Sequence, residues 1–323
     1  LSLGAACVWI ASVSMALVAW VRFSTAWRVL KKSQPKLKAV YDYLAIESKP
    51  TLDSKAHSPI AGNSDSTSSS GRSTPNRLSQ GVQIEHLTLL GGTSQKLLND
   101  VSVEFKPGQL TAVVSSDPFL AKALVELALG FGQPYSGRLL FDGIDSKDIT
   151  SQSIRDLSLW IAANGPLVTG SIEDNLWLGY PRDATIDLRD VLRKARVDQA
   201  VFGLPDGLQT LVSSQESRLS VDLMFRLGIA RGFLKNPSLV VAEEPTPNNA
   251  GIEIETTRAL LELKNLPSIV LVLPSRVSTL RAADQVVMLH KDRIVEIGTH
   301  VELLERSELY RHWNYVHFAP VPS

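Results

Sequence analysis

The sequence predicts an α/β fold: a mixed sheet core, an antiparallel β part and a helical part, preceded by a transmembrane helix. Three observations carry this. Residues 1–20, LSLGAACVWIASVSMALVAW, hold no charge, which is the length a helix needs to cross the hydrocarbon of a bilayer. Leu239–Ala242 and Ile269–Leu273 are short and wholly apolar, as are strands of a parallel sheet covered on both faces. Pro107–Ala128, PGQLTAVVSSDPFLAKALVELA, reads as a strand over Leu110–Val114, a tight turn, and a helix from Phe119 with apolar residues at helical spacing.

Taken in order, the apolar start is followed at once by Arg22, Arg28, Lys31, Lys32, Lys36 and Lys38, which places the downstream chain in the cytosol by the positive-inside rule. A secretory signal peptide is the competing reading, but its charges belong before the apolar run, and its core is shorter. The first residue is Leu, so the chain reads as the C-terminal part of something longer. Val21 to Ala45 continues as an amphipathic helix interrupted near Pro35. Residues 48–80, with SDSTSSSGRSTP, hold almost no large apolar side chain and read as a disordered linker. Their serines are open to phosphorylation, though any solvated linker has serines.

Past Gly81, Val82–Leu90 and Val101–Phe105 read as antiparallel strands and Ser136–Asp142 as a further strand and turn. Helical patterns cover Ile186–Phe202 and Leu219–Leu234; Val286–Leu289 with Arg293–Glu296 reads as a hairpin, and Val301–Trp313 as a final helix. Charges balance at 33 Lys+Arg against 33 Asp+Glu, which excludes the basic footprint of a nucleic-acid partner. The single cysteine, Cys7, excludes an internal disulfide framework, and no His, Asp or Glu cluster has metal-ligand spacing. His290 and His300 read as solvated.

The turn between Leu110–Val114 and the helix is where a nucleotide-binding protein would cradle phosphate. Glycines there free backbone N–H groups, a lysine meets the β/γ-phosphates and a Ser/Thr holds Mg²⁺. The surrounding phrases LLNDVSVEFKPGQL, SGRLLFD, GPLVTGSIEDNLWLG, RLSVDLMFRLGIARGFLKNPSLVVAEEPT and RAADQVVMLHKDRIVEIGTH occur in one order. Together they resemble the nucleotide-binding domain of an ATP-binding cassette (ABC) exporter, a P-loop NTPase-like fold, from about Gly81 to Leu304. The resemblance implies ATP and Mg²⁺ as cofactors. It also implies a second cassette and the coupling helices of a membrane domain as partners, and a bilayer around residues 1–20. The implied domains are 1–47 (last transmembrane helix and extension), 48–80 (linker) and 81–318 (cassette).

The same resemblance locates each site position and finds most of them altered. The base-stacking aromatic is Gly91. Ser115 and Leu120 stand for the loop's defining glycines, Ala121 for its lysine and Lys122 for its Ser/Thr; Ser116 lies in the loop. Lys122 is one residue late, a turn of about 100° on a helix, and is read either as solvated or as a phosphate ligand. Pro118 removes a donor, and Asp117 and Phe119 bring charge and bulk. The family's glutamine is Ala163. In the signature, Ser220 persists while the glycines are Val221 and Asp222, whose carboxylate would repel a partner's phosphate by about 1 kcal/mol at 4 Å in water. Glu243 stands for the metal-associated Asp and Glu244 for the general base, a catalytic candidate or a relic. The loop Pro247 to Ala250 lacks its final Asp at Ala250, and the switch histidine is Ser275. These alterations imply a degenerate cassette acting as a pseudo-ATPase half of an exporter. An active ATPase with unusual motifs, and an interaction module that no longer transports, are the alternatives.

Overall fold

The computed structural model describes residues 77–91, 96–165, 167–212, 219–246 and 250–318, without the side chains of 250–253. The expected membrane helix, its extension and the linker up to residue 76 lie outside the described residues. Among the described residues, no helix is long and apolar enough to cross a membrane.

An antiparallel sheet comes first among the described residues. β1 (Val82–Leu90) pairs with β2 (Lys96–Phe105) and with β4 (Ser136–Phe141), and β5 (Ile144–Asp145) closes its edge in the order β2-β1-β4-β5. Gly137 is required where β4 bends past β1: its φ is +85°, and a Cβ would stand 2.5 Å from the Cα of Leu87.

Between the strands of that sheet runs β3 (Leu110–Ser115), all six residues of which are buried, leading to α1 (Pro118–Ala128). The chain continues through α2 (Ser151–Leu157), β6 (Ser158–Ile161), β7 (Gly170–Ser171), α3 (Ile172–Leu176), α4 (Leu188–Lys194), α5 (Asp198–Phe202) and β8 (Leu211–Val212). It then forms α6 (Val221–Lys235), β9 (Leu239–Glu243), α7 (Ala250–Lys264), β10 (Ile269–Leu273) and α8 (Val277–Ala282). The end is β11 (Gln285–His290), β12 (Arg293–Gly298), α9 (His300–Arg306) and α10 (Glu308–Phe318).

The central sheet has the order β12-β11-β3-β10-β9-β6. Its five inner pairings include four parallel ones, and β12 alone runs antiparallel, to β11. Alternation along β3 explains why the strand is apolar throughout. Leu110, Ala112 and Val114 join one core with α6 and α7, while Val113 joins a second core with α1 and β1, because successive side chains point to opposite faces. The predicted mixed α/β architecture is therefore present, with both faces of the parallel strands covered.

Three local expectations are corrected and one is refined. The folded unit begins before Gly81: Leu78 is buried, its N–H donates to Ser238 Oγ (3.1 Å), and Asp142 accepts the N–H groups of Ser79, Gln80 and Gly81 at 2.7–2.8 Å. Those bonds and the Ser79 hydroxyl outweigh the opposing effect of burial and hold the Asp142 carboxyl below its ordinary range. The helical pattern over Ile186–Phe202 is divided into two helices, because Arg196 takes a left-handed φ of 59° after α4. The final helix is likewise broken at Ser307, whose hydroxyl accepts the Tyr310 N–H. His300, expected to be solvated, is buried, with Nδ1 2.8 Å from the Tyr310 hydroxyl.

Candidate functional site

The turn at the end of β3 is two residues long, Ser116 and Asp117, both exposed. Asp–Pro at a strand-to-helix junction places a capping carboxylate ahead of a residue that needs no N–H donor, and α1 begins accordingly at Pro118. Asp117 Oδ1 accepts the Phe119 N–H at 3.0 Å, the Asp117 carbonyl accepts the Leu120 N–H at 3.0 Å, and Ser115 Oγ accepts the Asp117 N–H at 3.2 Å. The N–H groups of Asp117, Phe119 and Leu120 are thus bonded within the turn itself, and a carboxylate stands at the positive end of α1. Asp117 therefore acts on its own helix, while Phe119 projects into solvent, 78% exposed. Leu120 and Ala121, in place of a glycine and the lysine, are buried against the second core.

The carbonyl of Ser115 is taken from the other side. The indole of Trp313, on α10, donates to it at 3.0 Å, and Trp313 is stacked with His317 at 4.7 Å between centroids. These residues wall a cavity of about 510 Å³ that brings together Ser115, Ala121, Lys122, Glu243, Glu244 and Ser275. Lys122 Nζ lies 3.8 Å from Glu243 Oε2 and 5.4 Å from the centre of the Trp160 ring, within cation–π range. Its charge is matched by one carboxylate and one aromatic face.

Glu244 borders the cavity, yet its side chain is fully buried and both oxygens are occupied. Oε1 accepts the Thr279 hydroxyl at 2.5 Å and lies 3.6 Å from Arg276 Nη1; Oε2 accepts the Ser275 N–H at 2.9 Å. Burial pushes its carboxyl up, against the lowering effect of Thr279 and Arg276. A general base needs a lone pair facing the proton it takes, whereas these oxygens face protein donors. Ser275, in the switch position, donates its hydroxyl to the Pro245 carbonyl at 2.6 Å.

Arg276 also reaches the signature helix. Its Nη2 donates to Asp222 Oδ1 at 2.5 Å, with the arginine side chain 0% and the aspartate side chain 4% exposed. The expected repulsion of a partner's phosphate by Asp222 is thereby corrected: this carboxylate points into the protein and is neutralised there. Ser220 caps α6, its hydroxyl accepting the Leu223 N–H at 3.2 Å, and Val221 is the first helical residue, half-buried.

The remaining predicted positions stand apart from the cavity lining. Gly91 follows β1, 3.2 Å from the Leu97 side chain as measured from where its Cβ would be. Ala163 lies in the turn after β6, where the Gly165 N–H meets the Ala162 carbonyl at 3.0 Å. Ala250 begins α7, and Pro247, Asn248 and Asn249 lie outside the described residues. Among the described residues, no group of three or more His, Cys, Asp or Glu has metal-holding geometry.

Sequence reasoning missed Arg276, Thr279 and Trp313. A lone arginine beside apolar β10 was the available signal for the first; the other two have none without the fold.

A family model described as "ABC transporter" matches residues 98–247. The "Fatty acid ABC transporter ATP-binding/permease protein" of Mycobacterium tuberculosis is 32% identical over 230 residues, covering 71% of this chain and 36% of that protein. The "ATP-dependent lipid A-core flippase" of Chromobacterium violaceum is 31% identical over 224 residues, covering 69% and 38%. A solved structure, "Structure of a bacterial Atm1-family ABC exporter with ATP bound", superposes with a TM-score of 0.67 at 22% identity over 76% of this chain and 44% of that one, a likeness of fold. The chain spans little more than a third of the length of these curated relatives.

Proposed function

The chain belongs to the ABC transporter family, and on that premise we propose that it is the nucleotide-binding part of a membrane exporter whose own nucleotide site is closed from within. The observation that carries this reading is the phosphate turn. Asp117, Ser115 and Pro118 leave α1 without the free N–H donors that a phosphate group would require. The residues present do not fit MgATP, since Lys122 is matched by Glu243 and Glu244 is enclosed by Arg276, Thr279 and Ser275.

In this reading the cassette is a pseudo-ATPase. It lies in the cytosol behind a membrane helix at residues 1–20, with residues 48–76 as linker, and it supports a second, partner cassette. It also seats a coupling helix of the membrane domain. Support for that joint comes from α3, whose start is held by a reciprocal cap between Ser171 and Asp174.

A second reading, an active ATPase with unusual motifs, draws on one observation: Lys122, Glu243 and Glu244 border a single cavity. Calorimetry of MgATP against the full chain separates the two. The expected result is no heat at millimolar nucleotide from folded protein. Binding tighter than millimolar, lost in Lys122→Ala, would overturn the closed-site reading and establish the second.

A further inference from the structure

The cleft between α4–α5 and α6–α7 holds an electrostatic imbalance. Arg226, on α6, is only 8% exposed. Its Nη1 donates to the Arg196 carbonyl and its Nε is buried without a hydrogen-bond partner. Of the two carboxylates whose charge reaches it, Asp222 is already held by Arg276 at 2.5 Å and Glu255 by Arg258 at 2.8 Å. A buried guanidinium is ordinarily paired, because desolvating a lone charge is costly, yet Arg226 makes no salt bridge with a described residue.

Arg196 points to the same place. It sits just after α4 at φ +59°, where glycine or asparagine is favoured because a side chain strains the left-handed backbone. Nothing in the backbone calls for arginine there: the Val197 N–H to Leu192 carbonyl bond of 2.9 Å and the Arg196 N–H to Arg193 carbonyl bond of 3.0 Å serve any residue. What arginine adds is a guanidinium bordering the cleft. Its Nε is buried without a partner, and its nearest carboxylate, Glu262, is 3.6 Å away on a half-exposed pair. The cleft encloses about 560 Å³ and is bordered by Arg193, Arg196 and Arg226 against the carboxylates of Asp198 and Glu255. Arg193 is also matched by Asp190, outside the cleft.

We propose that this cleft binds a phosphate-class oxyanion, held by Arg226 and Arg196 with Arg193 at the mouth. Planar guanidinium groups match the oxygens of such an anion in pairs, and the anion supplies the directly bonded counter-charge that neither Asp222 nor Glu255 gives Arg226. The site is separate from the phosphate turn and stands whether or not MgATP binds there.

Two sources carry this chemistry: free phosphate, and a phosphoryl group on the chain's own Ser-rich stretch. The second is within reach. Arg77, which follows that stretch, donates to Asn236 Oδ1 at 3.2 Å just beyond α6. Arg226 lies ten residues earlier along α6, about 15 Å at 1.5 Å per residue, while nine extended residues from Ser68 to Arg77 span up to about 30 Å.

The test follows the thermal midpoint of the full chain in sodium phosphate against sodium chloride at equal ionic strength. A rise of about 5–10 °C is expected at a hundredfold excess of phosphate over its Kd. Arg226→Gln abolishes the rise. Should that variant fail to fold, Arg196→Gly decides alone: relief of the left-handed strain raises its midpoint in chloride, and loss of the guanidinium removes the phosphate increment. Equal midpoints in the two salts, or a full phosphate increment in Arg196→Gly, would overturn the site. A phosphoserine peptide of sequence SDSTSSSGRSTP that binds at least tenfold tighter than phosphate, with the unmodified peptide silent, assigns the ligand to the chain's own segment. Equal or weaker binding of that peptide assigns it to free phosphate.

Discussion

At the phosphate turn, buried Ser115 and the exposed Asp117 and Phe119 satisfy one another within a single bend of chain. Between the end of β9 and the start of α6, by contrast, Glu244 and Asp222 are satisfied by buried Arg276 and Thr279 and half-buried Ser275, which are 31 to 54 residues away in sequence. The first closure is local and shallow; each of its bonds contributes what an exposed cap contributes. The second is deep, so each charge depends on the others being present. A site can therefore be closed cheaply on one side and interdependently on the other, and the second closure ties the start of α6 to α8 and the end of β9.

The comparison breaks most visibly at Arg276. Replacing it with Met leaves two carboxylates buried without their cation, and a loss of about 3–5 kcal/mol is expected from urea unfolding. A loss below 1 kcal/mol would mean that water reaches the network and that the deep closure is no deeper than the turn. Adding Asp222→Leu and Glu244→Gln to Arg276→Met is expected to recover most of the loss, since a matched uncharged replacement removes the stranded charges together.

The shallow side sharpens the contrast. Trp313→Phe removes the buried donor to the Ser115 carbonyl, for an expected cost of about 1–3 kcal/mol; unchanged stability would show that this carbonyl finds another donor. Asp117→Ala removes the cap of α1, with about 1 kcal/mol lost. Nucleotide binding is not expected to appear in this variant, because Pro118 still lacks its donor.

A pH dependence separates a third, surface anchor from both closures. The Asp142 carboxyl lies below its unfolded value. Its contribution is therefore present above the unfolded pKa and lost as pH falls through the folded one. Unfolding midpoints of the parent should drop through the acid range more steeply than those of Asp142→Asn; parallel curves would remove Asp142 as an anchor of the chain's entry. Smallest of all is Lys122→Ala, whose half-exposed pairing with Glu243 at 3.8 Å is worth no more than about 0.5 kcal/mol. A larger loss would show that Lys122 has a partner more demanding than Glu243.

What the sequence determined by itself was whatever depends on near neighbours along the chain. Leu239–Glu243 and Ile269–Leu273 are apolar at every inner position because both faces of a central parallel strand are covered, so their place in the sheet was readable from composition alone. The cap at Asp117–Pro118 was equally local. Leu78 was misread because one apolar residue among serines carries no periodicity; its burial depends on Ser238, 160 positions away. The break at Arg196 was hidden because a single left-handed residue leaves the apolar spacing on either side intact. The direction of the charges was decided by tertiary structure alone. Asp222 and Glu244 read as groups facing a nucleotide until Arg276 is placed between them. The reason is physical: the energy of a buried charge is set by which group lies within a few ångströms of it, and that distance comes into being only when the layers pack.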